Sequence, residues 1–144
     1  MKSNFEETEV FPTSSTIGPR EWGEETLLAL VSEKFTVKRL QMKAGSKGGM
    51  QFHRLKDEVA ILISGELLVR YDLGDGLIRE KVLSSGQVVH FPPGLVHQEE
   101  AITECEIIEA STPHFNDRVR VEDQYGISES GGLPTTTLDE IEAR

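Results

Sequence analysis

The sequence predicts an all-β, single-domain barrel, and three observations carry the prediction. Short β-rich runs follow one another from Glu25 onward, turn residues separate them, and no segment of ten or more residues in the middle region has a helical stripe. With no βαβ crossover in the pattern, antiparallel pairing into a sandwich or closed barrel is the natural way to bury one face of each strand.

Taken in order, residues 1–18 are rich in Glu, Ser and Thr and have no sustained period, so a loosely held N-terminal arm is expected there. The runs that follow are TLLALV, FTVKRLQMK, EVAILIS, ELLVRYD, LIREKVL, QVVHFP and CEIIEAS. Between them lie Ser-Glu-Lys at 32–34, AGSKGG at 44–49, Ser64-Gly65, Gly-Asp-Gly at 74–76 and Ser-Ser-Gly at 84–86, each able to turn the chain back on itself. These runs and turns define one domain over 19–126. Beyond Tyr125-Gly126 the composition changes to ISESGGLPTTTLDEIEAR, read as a C-terminal tail over 127–144, where the spacing of Thr137 and Glu140 matches a capping box and predicts a short helix.

A chain of 144 residues supports one core and one site. Its 37% apolar and 28% charged residues are those of an ordinary globular domain. The net charge of −10 argues against nucleic acid as a partner, because phosphate-backbone interfaces need clustered Lys and Arg. A small anionic substrate needs only a few local cations, so the charge does not exclude one. The lone cysteine, Cys105, lies in an apolar run, cannot form an internal disulfide and reads as packing. The N-terminus has neither the basic start nor the apolar run of a signal peptide, and no later segment reaches membrane-spanning length. A cytoplasmic protein without a membrane partner is expected.

Two stretches carry candidate chemistry. In 45-GSKGGMQFHRLKDEVAILISG-65, Gln51 and His53 stand at i and i+2, Glu58 follows five residues after His53, and glycines bracket the set. In 86-GQVVHFPPGLVH-97, a Pro-Pro-Gly corner precedes His97. Residues at i and i+2 of a strand share a face, so Gln51 and His53 can converge, while Glu58 returns on the adjoining strand and His97 enters from elsewhere in the barrel. Such a mixed nitrogen and oxygen set suits a divalent transition metal, Mn, Fe, Ni or Zn, with open positions for substrate or water. A neutral amide in place of an imidazole leaves Gln51 as a ligand, a hydrogen-bond donor to bound water, or a bystander. The same residues also read as a hydrogen-bonded polar cluster without metal, in which two imidazoles offset the desolvation of Glu58.

The spacings of the two stretches resemble the paired motifs of the cupin superfamily, whose fold is a double-stranded β-helix or jelly-roll barrel. The resemblance extends through 20-REWG-23, 37-VKRLQMKAG-45, Gln51, 106-EIIEAST-112 and 117-DRVRVEDQYG-126 to the cupin domain of type II mannose-6-phosphate isomerases, over about residues 20 to 126. It implies Gln51, His53, Glu58 and His97 as metal-site positions, and Arg120, Glu122, Asp123, Tyr125 and Gly126 as a terminal motif. That family commonly has Gln at the position of Gln51. This chain departs from it at Leu55, where the family has a further His, and at Ile127, where the family's ending has Arg.

The resemblance implies a sugar or sugar-phosphate isomerase or epimerase, moving a proton between adjacent carbons. His90 and Glu99, on strands flanking the Pro-Pro-Gly corner, are the candidate bases. Lys38, Arg39, Arg54 and Arg120 are candidate cations for a phosphate, Arg120 foremost because it matches the terminal motif. Two other functions suit the same residues: a metal-dependent dioxygenase and a non-catalytic cupin that binds a small carbohydrate. Exposed sheet edges, with the arm and Trp22 to cover one across a two-fold axis, lead to the expectation of a homodimer.

Overall fold

The computed structural model describes residues 9–10, 16–31, 33–115 and 117–126. The strands are β1 (Glu9–Val10), β2 (Thr16–Arg20), β3 (Gly23–Val31), β4 (Phe35–Met42), β5 (Gln51–His53), β6 (Glu58–Ser64), β7 (Leu67–Asp72), β8 (Ile78–Leu83), β9 (Val88–Phe91), β10 (Val96–Ala101), β11 (Cys105–Ser111) and β12 (Arg118–Arg120), followed by a 3-10 turn, Glu122–Tyr125. The capping box at Thr137 lies outside the described residues. β1 lies within the stretch expected as an arm and β2 crosses its end, and both pair antiparallel with β3 of the same chain. Among the described residues no helix is long and apolar enough to cross a membrane.

Two antiparallel sheets make up the barrel, one in the order β1-β3-β4-β11-β6-β9 with β2 also on β3, the other in the order β12-β5-β10-β7-β8. Leu40, Met42, Leu62 and Ile107 from the first sheet and Leu67, Val69 and Leu83 from the second share one core, with Trp22, Phe91 and Cys105. Fully burying a Leu or Ile side chain stabilises the fold by about 1.5–3 kcal/mol, so this cluster is the main source of stability. Cys105 is packing, as its setting in the sequence predicts.

The interior is not uniform along the strands. On β4, β11 and β6 alternate residues face inward, and the antiparallel register aligns them in rows. One row is Leu40, Ile107 and Leu62; the next is Lys38, Glu109 and Ala60; the last is Thr36, Ser111 and Glu58, with the Thr36 and Ser111 hydroxyls 2.9 Å apart. The same strands that close an apolar core at one end therefore line a polar chamber at the other. On the facing sheet the inward residues pass from Ala101 through Glu99 to His97 along β10, beside Gln51 of β5.

The terminal motif clamps this polar end. Glu122 Oε1 accepts hydrogen bonds from the Met50 backbone N–H at 3.2 Å and from Arg120 Nε at 3.0 Å, and the Val121 N–H donates to Met50 O at 2.9 Å. The clamp requires Gly49, because a Cβ there would lie 2.7 Å from Glu122 Oε1. The Tyr125 hydroxyl donates to Asp72 Oδ2 at 2.5 Å, tying the 3-10 turn to the end of β7.

Gly65, the last glycine of the first motif, sits at φ +98° with the site of a Cβ only 2.2 Å from the Glu104 carbonyl oxygen, whereas Gly45, at φ +80°, faces open space. Gly65→Ala is expected to cost about 3 kcal/mol or more and Gly45→Ala about 1 kcal/mol, the second reflecting backbone strain alone. Urea unfolding of the two variants measures the difference; equal losses would contradict the close approach at Gly65.

Candidate metal centre

Each imidazole in the polar chamber is turned by a specific partner. The Asp117 carboxylate can only accept, so His53 Nδ1–H donates to Asp117 Oδ1 at 3.0 Å and the other ring nitrogen carries the lone pair. His97 Nδ1–H donates to the Leu95 carbonyl at 2.9 Å, and its ring stacks on Phe91 at 4.0 Å between centroids. Both free Nε2 atoms then point at one carboxylate oxygen: Glu58 Oε1 is 3.5 Å from His53 Nε2 and 3.7 Å from His97 Nε2. One ligand atom from each of His53, Glu58 and His97, all three buried, falls within 4.8 Å of the others. Gln51 joins them on the same face, directly across the ladder from His97 and two residues before His53.

The electrostatics favour neutral imidazoles. Burial lowers the pKa of His53, the Lys56 ammonium lowers it further, and the Asp117 interaction offsets this only in part. Burial brings His97 down to about 4. For Asp117, burial alone would raise the pKa, but the N–H groups of Leu55 and Lys56, at 2.9 and 2.7 Å, together with His53 hold it below the ordinary carboxylate value. Burial, then the neighbouring carboxylates Glu58 and Glu109, push Glu99 up to about 8.

A cavity of about 140 Å³ opens from these residues, lined by Gln51, His53, Glu58, His97 and Glu99 at one side and by Trp22, Lys38, His114 and Phe115 at another. Lys38 is buried and ion-paired with Glu25 at 2.9 Å, beneath the Phe115 ring. The other expected phosphate cations do not line it. Arg39 alternates with the inward-facing Lys38 and Leu40 and so belongs to the outer face, Arg54 is exposed, and Arg120 is engaged in the Glu122 clamp. His90 is also displaced from its expected role: it is exposed on β9 and bonded to Asp57 at 2.6 Å, because alternation turns Val89 and Phe91 inward instead. Of the two candidate bases, only Glu99 borders the cavity. Leu55 is 61% exposed and outside the cavity, so its departure from the resembled family does not remove a group from the chamber.

Three residues that matter here escape the sequence reading. Lys56 reaches Glu58 Oε2 at 3.0 Å and Glu109 Oε1 at 2.9 Å, Glu109 lines the cavity from β11, and Asp117 orients His53. The i to i+2 spacing of Lys56 and Glu58 was a legible signal for the first of them. Asp117 heads the quoted segment 117-DRVRVEDQYG-126, but nothing in the sequence pairs it with His53, 64 positions away.

A divalent ion fits this set. Two unprotonated imidazole nitrogens, a carboxylate oxygen and an amide oxygen make a borderline-hard donor group. Gln51 Oε1 is buried without a hydrogen-bond partner, an acceptor that a cation in the chamber would satisfy. The Asp117–His53 pair is the kind of carboxylate–imidazole support that holds a ligating ring in place. Asp117→Asn is accordingly expected to weaken divalent-ion binding by about 10- to 100-fold, measured by competition with a chromophoric chelator. Unchanged affinity would show that His53 needs no such support.

The family described as Cupin matches residues 12–125. Among curated protein sequences none matches the chain. Among solved structures, the capsular polysaccharide assembling protein CapF from Staphylococcus aureus superposes with a TM-score of 0.64 at 24% identity, over 70% of this chain and 30% of that one. A variant of oxalate decarboxylase from Bacillus subtilis superposes with a TM-score of 0.68 at 19% identity, over 82% of this chain and 37% of that one. KdgF from Halomonas sp. superposes with a TM-score of 0.55 at 16% identity, over 65% of this chain and 81% of that one. This chain thus spans about a third of CapF and of oxalate decarboxylase, and the likeness is one of fold. With two antiparallel sheets closing on a polar chamber and the family match running over residues 12–125, well over half of the chain, the chain belongs to the cupin family.

Proposed function

We propose that the protein is a metal-dependent isomerase or epimerase of a small, hydroxyl-rich carbohydrate. The observation that carries the reading is the meeting, in one cavity, of the His53, Glu58, His97 and Gln51 donor group with a separate carboxylate, Glu99. The likeness in fold to CapF, a capsular polysaccharide assembling protein, supports a carbohydrate.

The charge of the cavity narrows the substrate. Glu25, Glu58, Glu99, Glu109 and Asp117 line it against Lys38, Lys56 and Arg118. Those cations are engaged already, Lys38 by Glu25, Lys56 by Glu58 and Glu109, and Arg118 by a partner of its own. Among the described residues every side-chain cation of the chamber already has a partner and carboxylates outnumber cations, which favours an uncharged sugar over the sugar phosphate that the family resemblance implies.

In this reading His53, His97, Glu58 and Gln51 hold the ion, which when bound supplies Lewis acidity to a carbonyl or hydroxyl oxygen beside it. Above about pH 8, where its carboxyl is ionised, Glu99 takes a proton from the carbon next to the carbonyl and returns it to the neighbouring carbon. Its carboxyl makes no ion pair or hydrogen bond among the described residues, so it is available for that transfer. The lowered pKa values of the buried imidazoles leave His53 and His97 unprotonated at that pH, as metal ligation requires.

The test is proton NMR in deuterated water, with the metal-loaded protein and a panel of neutral aldoses and ketoses. Wild type is expected to interconvert one pair with incorporation of deuterium from solvent, and Glu99→Gln to lose about 10²- to 10⁴-fold in rate while keeping its metal. A Glu99→Gln variant with full activity would remove Glu99 as the base. Stoichiometric oxygen uptake by the iron-loaded protein would replace the isomerase with a dioxygenase.

A further inference from the structure

We infer that Lys56 is a positioning residue that restricts Glu58 to one-oxygen coordination and so keeps a place on the metal open for water or substrate. The inference rests on the metal-site reading above and goes beyond it, because it assigns a role to a cation beside a proposed metal ligand.

A lysine next to a cation site is electrostatically adverse. Unit charges a few ångströms apart near a protein interior interact by several kcal/mol, so an ammonium at this place opposes uptake of a divalent ion. Lys56 nevertheless lies in the chamber wall with only 13% of its side chain exposed. It is held there at both ends of its reach: Glu109 Oε1 accepts a hydrogen bond at 2.9 Å, and Glu58 Oε2 lies 3.0 Å away in an ion pair bent out of hydrogen-bond alignment. The two oxygens of Glu58 are thereby assigned different tasks. Oε2 faces the ammonium, while Oε1 faces the two imidazole nitrogens at 3.5 and 3.7 Å.

The backbone of the same residue strengthens the assignment. The Lys56 N–H donates to Asp117 Oδ2 at 2.7 Å, and Asp117 Oδ1 orients His53. The short turn from Leu55 to Lys56 thus sets the direction of one ligand through its amides and the coordination mode of another through its side chain. Without the ammonium, nothing on Oε2 would oppose rotation of the carboxylate into a two-oxygen grip, which would fill a position that the proposed chemistry needs.

The experiment uses Mn(II) as the probe and water-proton relaxation of the Mn(II)-loaded full-length chain as the readout, since relaxation enhancement follows the number of exchanging waters on the ion. Lys56→Met is expected to bind Mn(II) at least about tenfold more tightly than wild type, because an opposing charge is gone, and to lose at least one exchanging water. Lys56→Arg, which keeps a cation on Oε2, is expected to retain wild-type hydration. If Lys56→Met does not fold, Lys56→Gln carries the same expectation with an amide left to bond Glu109. Wild-type hydration in the neutral variant would overturn the inference while leaving the metal site intact. Failure of wild type itself to take up Mn(II) or any other divalent transition ion would instead overturn the metal-site reading and this inference with it.

Discussion

A carboxylate withdrawn from water must be compensated at close range, and the arrangement of Glu58 is the constraint around which the polar end of this barrel is organised. Glu58 is 4% exposed, with an ammonium on one oxygen and two imidazole nitrogens facing the other. Each of these groups is held by a partner of its own. Lys56 is anchored by Glu109, His53 by Asp117, and His97 by the Leu95 carbonyl and the Phe91 ring. Because both imidazoles are driven toward neutrality by burial, they cannot cancel the carboxylate's charge as cations would, and the set retains the lone pairs that a divalent ion requires.

The fold makes this possible by changing the character of its interior along the strand direction. Ile107, Glu109 and Ser111 occupy successive inward positions on β11, and the register with β4 and β6 turns that gradient into whole rows. The apolar rows hold the sheets together, which lets the polar rows carry unfavourable burial without loss of the fold. The Glu122 clamp closes the same end by joining β12 to the residues that enter β5, so the strand bearing Gln51 and His53 is fixed from both sides.

Much of this was legible in the sequence. The β-rich runs and their turns correspond to β3, β4, β6, β7, β8, β9 and β11, because β-branched and other large apolar residues are concentrated in them. β1, β2, β5, β10 and β12 had no β-rich run, and VHQEEA of β10 shows why alternation alone understates a strand that lines a site. The spacing of His53, Glu58 and His97 gave their convergence correctly, since a face is set by parity and a short turn. The candidate phosphate cations and the candidate base His90 were not placed as well. Parity leaves the sign of a face undetermined, so Arg39 and His90 turned outward, and Arg120 was drawn into a clamp that no local pattern announces. Asp117 and Glu109 act across the sheets, at sequence separations where a single chain carries no pairing signal.

The central claim is that this chamber holds one divalent ion through two imidazoles and oxygen donors. X-ray absorption at the zinc edge of the zinc-loaded protein, together with metal content per chain, tests it most directly. The account predicts one ion per chain, with two imidazole nitrogens at about 2.0–2.1 Å, oxygen donors completing the sphere, and loss of one imidazole contribution in His97→Ala. Sub-stoichiometric uptake, or an unchanged imidazole signal in that variant, would contradict it and leave His53, Glu58 and His97 as a polar cluster that serves the fold alone.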